Sequence, residues 1–172
     1  MKKICLVSVL MVLILTSGCK NKTNLQPKSV SPPEKYSVNL DVAFRNINMT
    51  ALMTKLSPEK FEIQMLSPEI MTPLSLLYEN GVCTVTYDGL TFESDFNRFP
   101  QCEFAALLTR ALNDVESGIA VSQITENGDI IFKGITDCGE FILTQNSETG
   151  HWKEFSINGA SLKIVFSEYK SN

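Results

Sequence analysis

Four Asn-Gly or Asp-Gly dipeptides divide much of this chain into short segments. They are Asn80-Gly81, Asp88-Gly89, Asn127-Gly128 and Asn158-Gly159. An Asn or Asp followed by Gly favours two successive positive φ angles, which tight hairpins require between antiparallel strands. The chain is therefore expected to reverse direction at each dipeptide, which restricts it to a fold rich in antiparallel strands.

The segments around these turns have the side-chain pattern of β-strands. Apolar residues alternate with other residues from Tyr36 to Phe44, and Phe61, Ile63 and Met65 repeat the pattern. An alternation of period two predicts a strand with one buried face and one solvent-exposed face. Further strands are predicted at residues 74–79, 82–87, 90–93, 119–125, 130–135, 151–157 and 162–169. We therefore expect an antiparallel meander of about ten or eleven short strands.

A short helix is predicted just before Pro73. Ser67, Pro68 and Glu69 combine a capping residue, a first-turn proline and an acid at the positive end of a helix. Because Pro73 follows within two turns, this helix must be brief.

A longer helix is predicted between Pro100 and Gly118. Its apolar stripe, at the spacing of one helix face, consists of Phe104, Leu107, Leu108, Ala111, Leu112 and Val115. The opposite face is polar, so the stripe must be buried against another apolar surface. The inner face of the sheet is the expected partner.

The first residues of the chain have the pattern of an export signal. Lys2 and Lys3 precede an apolar run of 12 residues, from residue 4 to residue 15. A helix that spans a bilayer needs about 20 residues, so this run is expected to engage the export machinery without remaining as a span. The run leads to Thr-Ser-Gly-Cys at residues 16–19, which resembles the lipobox of bacterial lipoproteins.

The lipobox resemblance implies that residues 1–18 are a signal peptide and that Cys19 becomes the lipid-modified first residue of the mature protein. A diacylglyceryl group, with acyl chains such as palmitate, would then hold the protein on the extracytoplasmic face of the bacterial cell membrane. The alternative is an ordinary secretory signal cut elsewhere, with Cys19 as an ordinary thiol. Residues 19–35 are polar and contain prolines, which predicts a flexible tether, and residues 36–172 are expected to form one domain.

The charge balance argues against one class of partner. The whole chain has a formal net charge of −4, and removal of a leader that carries two lysines and no acids makes it −6. An acidic domain without a basic patch is not expected to bind nucleic acid.

Three cysteines follow the predicted lipidation site, at Cys83, Cys102 and Cys138. Their spacing is wide and no C-x-x-C motif occurs, which argues against a zinc site. One disulfide with one free thiol fits the sequence, and so do three buried thiols.

No catalytic motif is visible in the domain. Its one histidine, His151, follows a predicted turn, and neither G-x-S-x-G nor H-E-x-x-H occurs. Asp137 and Glu140 could act as an acid and a base, but acidic turn residues are usually solvated. We therefore expect no enzymatic activity, no cofactor and no metal.

The order of the elements resembles that of LolA-like lipoproteins, which belong to the lipoprotein-localisation-factor superfamily. The resemblance spans residues 36–169, and its motifs lie within residues 62–92, where the short helix leads to the run VTYDGL at residues 85–90. In that family an incomplete barrel wraps around helices, and the apolar cavity between them holds acyl chains or other apolar ligands. The resemblance implies an α+β, mainly β fold, in which a long antiparallel meander forms a half-barrel around one amphipathic helix and one short helix.

The leading functional hypothesis is a membrane-anchored lipoprotein that binds a lipid or other apolar ligand in the half-barrel cavity. The residues expected to line that cavity are Leu40, Val42, Phe44, Phe61, Ile63, Met65, Phe104, Leu108 and Leu112. Met49 and Met53 are further candidates, because Met adapts to irregular ligands. The alternative is an envelope protein-interaction or sensor module whose core is filled by its own side chains. An envelope enzyme is a third hypothesis, for which the sequence offers no site.

Overall fold

The computed structural model of this protein describes residues 31–94, 103–119 and 121–171. In that part of the chain, eleven strands form a single antiparallel sheet with one α-helix. The strands are β1 (Tyr36–Phe44), β2 (Ile47–Ser57), β3 (Lys60–Ser67), β4 (Leu74–Glu79), β5 (Val82–Tyr87), β6 (Leu90–Ser94), β7 (Ser122–Glu126), β8 (Asp129–Thr136), β9 (Gly139–Asn146), β10 (Trp152–Ile157) and β11 (Leu162–Ser171). The helix, α1, spans Glu103–Glu116. The predicted mainly β architecture, an antiparallel meander with one amphipathic helix, is confirmed.

The sheet is two meanders joined at their long inner strands. Its order is β6-β5-β4-β3-β2-β1-β11-β10-β9-β8-β7. Strands that follow one another in the chain therefore pair, except β6 and β7, and the two halves join where β1 pairs with β11. Val42 lies opposite Ile164 in this central pair. The two ends of the sheet are β6 and β7, and the chain between them includes α1.

The sheet curls around the helix. Helix α1 contacts both β4 and β8, which are separated by six other strands. In a flat sheet those two strands would lie roughly 34 Å apart, since adjacent strands are about 4.8 Å apart. A helix with side chains is only about 10–12 Å wide, so both contacts require a sheet bent into a half-barrel.

The core lies between α1 and the concave face of the sheet. The helix stripe is buried as predicted at Phe104, Leu107, Leu108, Ala111 and Leu112. Each large apolar side chain removed from water in this way contributes about 1.5–3 kcal/mol. The helix stops near Gly118, whose φ of 68° breaks the helical path, while Pro100 lies outside the described residues.

Three of the four predicted hairpin turns are confirmed. Asn80-Gly81, Asp88-Gly89 and Asn127-Gly128 each have two positive φ angles, of 50° and 82°, 48° and 79°, and 51° and 80°. These are the angles that a two-residue turn needs to match the twist of the flanking strands.

The prediction of a tight hairpin at Asn158-Gly159 is wrong. A short 3-10 helix, Asn158–Ala160, joins β10 to β11, and the left-handed residue is Ser161, with φ 49°. Gly159 serves a different purpose there. A Cβ on Gly159 would lie 2.2 Å from the carbonyl oxygen of Cys138, so the close approach of two loops requires a residue without a side chain.

The predicted cap at Ser67 is also wrong. Ser67 is the last residue of β3, and its Oγ accepts hydrogen bonds from the backbone N–H and the hydroxyl of Thr50, at 3.0 Å and 2.8 Å. The Ser67 Oγ is therefore hydrogen-bonded to Thr50 on β2, and it does not accept a hydrogen bond from a helix N-terminus. The expected short helix is reduced to a three-residue 3-10 turn, Glu69–Met71, with no side-chain cap.

Residues 1–30, with the predicted signal peptide and Cys19, lie outside the described residues. Within the described ranges, α1 is too short and too polar to cross a membrane.

Candidate functional site

The structure places the predicted cavity-lining residues together in the core. Their side chains are at most 2% exposed, and they belong to one cluster that joins the sheet to α1. The nine are Leu40, Val42, Phe44, Phe61, Ile63, Met65, Phe104, Leu108 and Leu112. Met49 and Met53 lie in the same cluster. These side chains therefore pack against their neighbours in the protein. Open surface on the concave face lies at other residues.

Open apolar surface occurs on the concave face at the β6 edge. Leu90 lies opposite Tyr87, and Phe92 lies opposite Val85. Residues directly opposite each other in an antiparallel pair share a face, and Val85 is buried in the core. Leu90, Phe92 and Tyr87 therefore face the inside of the half-barrel, yet they are 63%, 48% and 42% exposed. We call these three residues the apolar strip.

The position of the helix explains why the apolar strip is uncovered. Helix α1 contacts β4 and β8, while β5 and β6 continue the sheet beyond β4. The strip is bordered by the 3-10 turn before β4, because the Tyr87 hydroxyl donates a hydrogen bond of 3.3 Å to the carbonyl oxygen of Ile70. The side chain of Ile70 is itself exposed.

A cavity of about 380 Å³ lies at the C-terminal end of α1. It opens between the helix end and strands β2, β7, β8, β9 and β10, where the described chain begins. Its lining combines charged, amide and aromatic side chains: Ser31, Pro32, Glu34, Lys55, Val115, Glu116, Gln123, Phe132, Gln145 and Trp152. This helix-end cavity is more polar than the one that sequence reasoning expected.

An ion pair closes one wall of the helix-end cavity. The Lys55 Nζ lies 2.5 Å from a carboxylate oxygen of Glu116, the last residue of α1. Lys55 is only 4% exposed, and its ammonium lies 5.7 Å from the centre of the Phe61 ring. A buried ammonium needs a partner of opposite charge, so this pair holds the helix end against β2.

Two aromatic rings also line the helix-end cavity, and a cluster of further rings lies near Trp152. Phe132 and Trp152 meet edge to face with their ring centres 5.8 Å apart. Tyr169 packs beside Tyr36 at 5.5 Å, and its ring stacks on His151 at 4.1 Å. His151 is thus held as a stacked side chain beside this cluster.

Two polar atoms of this cluster are buried without a complete hydrogen bond, the Tyr36 hydroxyl and the Trp152 indole N–H. Burial raises the pKa of Tyr36 well above its usual value, and the charges of Tyr169 and Glu116 raise it further. The indole of Trp152 acts in the opposite direction, as a nearby donor does. Burial also raises the pKa of Tyr169.

The opposite end of α1 is held by a second polar contact. Arg45 and Glu103 form an ion pair of 2.6 Å, and the Cys138 thiol donates to the other Glu103 oxygen at 3.5 Å. Burial raises the pKa of the Cys138 thiol, with a further contribution from the Glu103 carboxylate. Among the described residues, Cys138 and Cys83 are not in a disulfide, and Cys102 lies outside those residues.

The acids considered for catalysis are spread over an exposed turn. The Asp137 side chain is 91% exposed and pairs with Arg110 at 3.3 Å, and Glu140 is also exposed. Across residues 31–94, 103–119 and 121–171, no three His, Cys, Asp or Glu side chains meet as metal ligands would.

Sequence reasoning missed the buried lysine. Lys55 follows Met49, Ala51 and Met53 at every second position of β2, all with buried side chains. This alternation would have placed Lys55 on the inner face, where an ammonium needs a partner. Its partner, at the far end of α1, could not be read from the pattern.

No protein-family model and no curated protein matches this sequence. Two solved structures resemble the fold at low identity. An uncharacterized conserved protein from Thermus thermophilus is 8% identical, with a TM-score of 0.52 over 80% of this chain and 78% of that one. A LolA superfamily protein from Nitrosomonas europaea is 10% identical, with a TM-score of 0.44 over 82% of this chain and 87% of that one. The likeness to the Thermus protein is one of fold alone.

Proposed function

We propose that this protein is a membrane-anchored lipoprotein that binds an apolar ligand, such as a lipid acyl chain, on the concave face of its half-barrel. The observation that carries this proposal is the apolar strip. Leu90, Phe92 and Tyr87 lie on the same face as the buried core and are nevertheless 63%, 48% and 42% exposed.

The chemistry of the apolar strip favours an acyl chain. Two of its three side chains are hydrocarbon, and the third presents a ring whose hydroxyl already donates to the Ile70 carbonyl. A contiguous apolar patch exposed to solvent is typical of a site that binds a ligand, a membrane or another protein. Covering such surface contributes about 25 cal/mol for each Å² removed from water.

The proposed anchor would keep this surface close to lipid. Cys19 is separated from Ser31, the first described residue, by 12 positions. A fully extended chain of that length spans at most about 40 Å. Acyl chains on Cys19 would therefore hold the half-barrel within reach of the bilayer surface, where an acyl ligand is available.

A binding role is proposed here in preference to a catalytic one. His151 stacks on Tyr169, and Asp137 pairs with Arg110 in an exposed turn. Neither arrangement joins a nucleophile, a base and an orienting group around one reacting centre.

An acyl-chain binding assay tests the proposal. Residues 31–172 would be titrated with a fluorescent fatty acid, and Leu90→Asn with Phe92→Asn would be compared with Ile124→Asn. Ile124 is 50% exposed on the other edge strand, at a position that alternates with cavity-lining Gln123 and so faces outward. The double variant is expected to lose most binding while Ile124→Asn keeps it. Equal binding by all three proteins would refute the proposal.

A protein-interaction role is the second candidate. The observations in its favour are the core filled by its own side chains and the outer side of edge strand β6, which pairs with no other described strand. Such an edge can accept a strand from a partner. If fatty acid does not bind, while Leu90→Asn with Phe92→Asn abolishes capture of an envelope protein by the full chain, this second role is supported.

A further inference from the structure

The helix-end cavity has an excess of negative charge. Its lining contains two carboxylates, from Glu34 and Glu116, and one ammonium, from Lys55. Because Lys55 is paired with Glu116, the charge that remains is that of one carboxylate. A net negative cavity attracts a cation and disfavours an anion.

The position at the end of the helix adds to this preference. Val115 and Glu116, the last residues of α1, lie in the cavity wall. The carbonyl end of a helix carries a partial negative charge of about half an elementary charge, which stabilises cations near it. An anionic ligand would meet both this partial charge and the excess carboxylate.

Aromatic side chains indicate an organic cation. Phe132 and Trp152 line the cavity together. The face of an aromatic ring attracts a cation, and this contact suits alkylated ammonium groups, which are weakly hydrated. A hard metal ion would instead need several oxygen ligands, and metal-binding groups of three His, Cys, Asp or Glu do not occur among the described residues.

The size of the cavity matches a small organic group. Its volume of about 380 Å³ lies near the lower end of the range, about 300–1,000 Å³, that small-molecule sites occupy. Two of its polar side chains, Lys55 and Gln145, are almost completely buried, so the cavity is walled by fixed groups. Gln145 is held by a hydrogen bond of 2.9 Å from its Nε2 to the Gly150 carbonyl.

We infer that the helix-end cavity is a binding site for an organic ammonium group, either a free amine or the ammonium headgroup of a lipid. This site is separate from the apolar strip and does not rest on the proposed function. The strip lies on β5 and β6, whereas the cavity is lined from β2, β7, β8, β9, β10 and the end of α1.

The chain carries its own reporter for this site. Trp152 lines the cavity and is the one tryptophan in the 172 residues. The full chain, in a non-ionic detergent, would be titrated with tetramethylammonium chloride and, separately, with sodium chloride at the same ionic strength. A saturable change of tryptophan emission with tetramethylammonium, absent with sodium, is expected.

Three variants test the charge argument. Glu34→Gln removes an exposed cavity carboxylate and is expected to weaken binding about twofold to fivefold, as exposed charge pairs do. Lys55→Met is expected to strengthen binding, because it frees Glu116. Glu69→Gln makes the same charge change as Glu34→Gln, at an exposed position outside the cavity, and should leave binding unchanged.

The source of the ammonium group is found with short-chain lipids below their critical micelle concentration. Dihexanoyl phosphatidylcholine would be compared with dihexanoyl phosphatidylglycerol in the same assay. Tighter binding of the choline lipid than of tetramethylammonium supports a lipid headgroup, and tighter binding of tetramethylammonium supports a free amine. The inference is overturned if tetramethylammonium gives no saturable signal, if the glycerol lipid binds as tightly as the choline lipid, or if Glu34→Gln behaves like Glu69→Gln.

Discussion

Gly159 lies directly against the carbonyl group of Cys138, so close that a Cβ on Gly159 would sit 2.2 Å from the carbonyl oxygen. The contact joins the turn between β10 and β11 to the turn between β8 and β9. Cys138 in turn reaches Glu103, the first residue of α1. One end of the half-barrel is thus assembled from two turns and a helix terminus.

The first prediction concerns this contact. Gly159→Ala is expected to destabilise the fold by about 1–3 kcal/mol, because backbone must move to admit the new carbon. Asn158→Ala, at the exposed neighbouring position, should change stability by about 0.5 kcal/mol or less. Urea denaturation of the two variants measures the difference. Equal stability of both would contradict the close contact.

The ion pair between Lys55 and Glu116 predicts unequal effects of its two partners. Glu116→Gln leaves a buried ammonium without its counter-charge and is expected to cost about 3 kcal/mol. Lys55→Met leaves a carboxylate that is 22% exposed and can be hydrated, so its cost should stay below about 1 kcal/mol. Thermal denaturation compares the variants. If Lys55→Met loses more stability than Glu116→Gln, the ammonium group of Lys55 contributes more to stability than the apolar part of its side chain does.

The buried hydroxyl of Tyr36 predicts a gain in stability at neutral pH. Because this oxygen has no complete hydrogen bond, Tyr36→Phe is expected to raise the free energy of unfolding by about 1 kcal/mol. Denaturant unfolding at pH 7 measures it. A loss of stability would instead mean that Trp152 donates a full hydrogen bond to the hydroxyl.

The raised pKa of Tyr36 predicts a further effect in alkali. Tyr36 in the unfolded chain ionises near its ordinary pKa of about 10, whereas burial keeps the folded phenol protonated to higher pH. The ionisation of Tyr36 therefore does not affect the free energy of unfolding below about pH 10, and it lowers that free energy as pH rises from there through the folded pKa. The free energy of unfolding, measured from pH 8 to pH 12, should decline more steeply for the natural chain than for Tyr36→Phe.

The thiol of Cys138 predicts opposite effects of two charges. Glu103 raises the pKa of this thiol and Arg45 lowers it, both acting in addition to burial. Glu103→Gln is therefore expected to speed alkylation of Cys138 by iodoacetamide at pH 8, and Arg45→Gln to slow it. Mass spectrometry of the peptide containing Cys138 follows the rate. A change in the same direction for both variants would contradict this account.

Most predictions that rested on a local signal in the sequence were confirmed. Segments 74–79 and 82–87 were assigned with the bounds of β4 and β5, and the stripe from Phe104 to Leu112 is the buried face of α1. Period two and period 3.6 place side chains on one face irrespective of the rest of the fold. The same argument explains the three Asn-Gly and Asp-Gly turns that were confirmed.

Prediction failed where a distant segment competes for the same residue. Ser67 lost its capping role because Thr50, 17 residues earlier, takes its hydroxyl oxygen. No bounds were predicted from the sequence for strands β2 and β9. The turn before β2, at Arg45 and Asn46, has positive φ angles of 47° and 70° but contains no glycine to mark it. The predicted cavity residues lie in the buried core, and the proposed sites are built from other residues.

The sequence by itself determined the alternating strands, three of the tight turns and the apolar face of the helix, because these depend on residues within a few positions of one another. Only the tertiary structure decided that β1 pairs with β11, that Lys55 meets Glu116 and that Leu90 and Phe92 stay uncovered. Those features depend on how the sheet curls around α1. Curling brings together residues far apart in the chain, and the local side-chain pattern is the same whichever partner they meet.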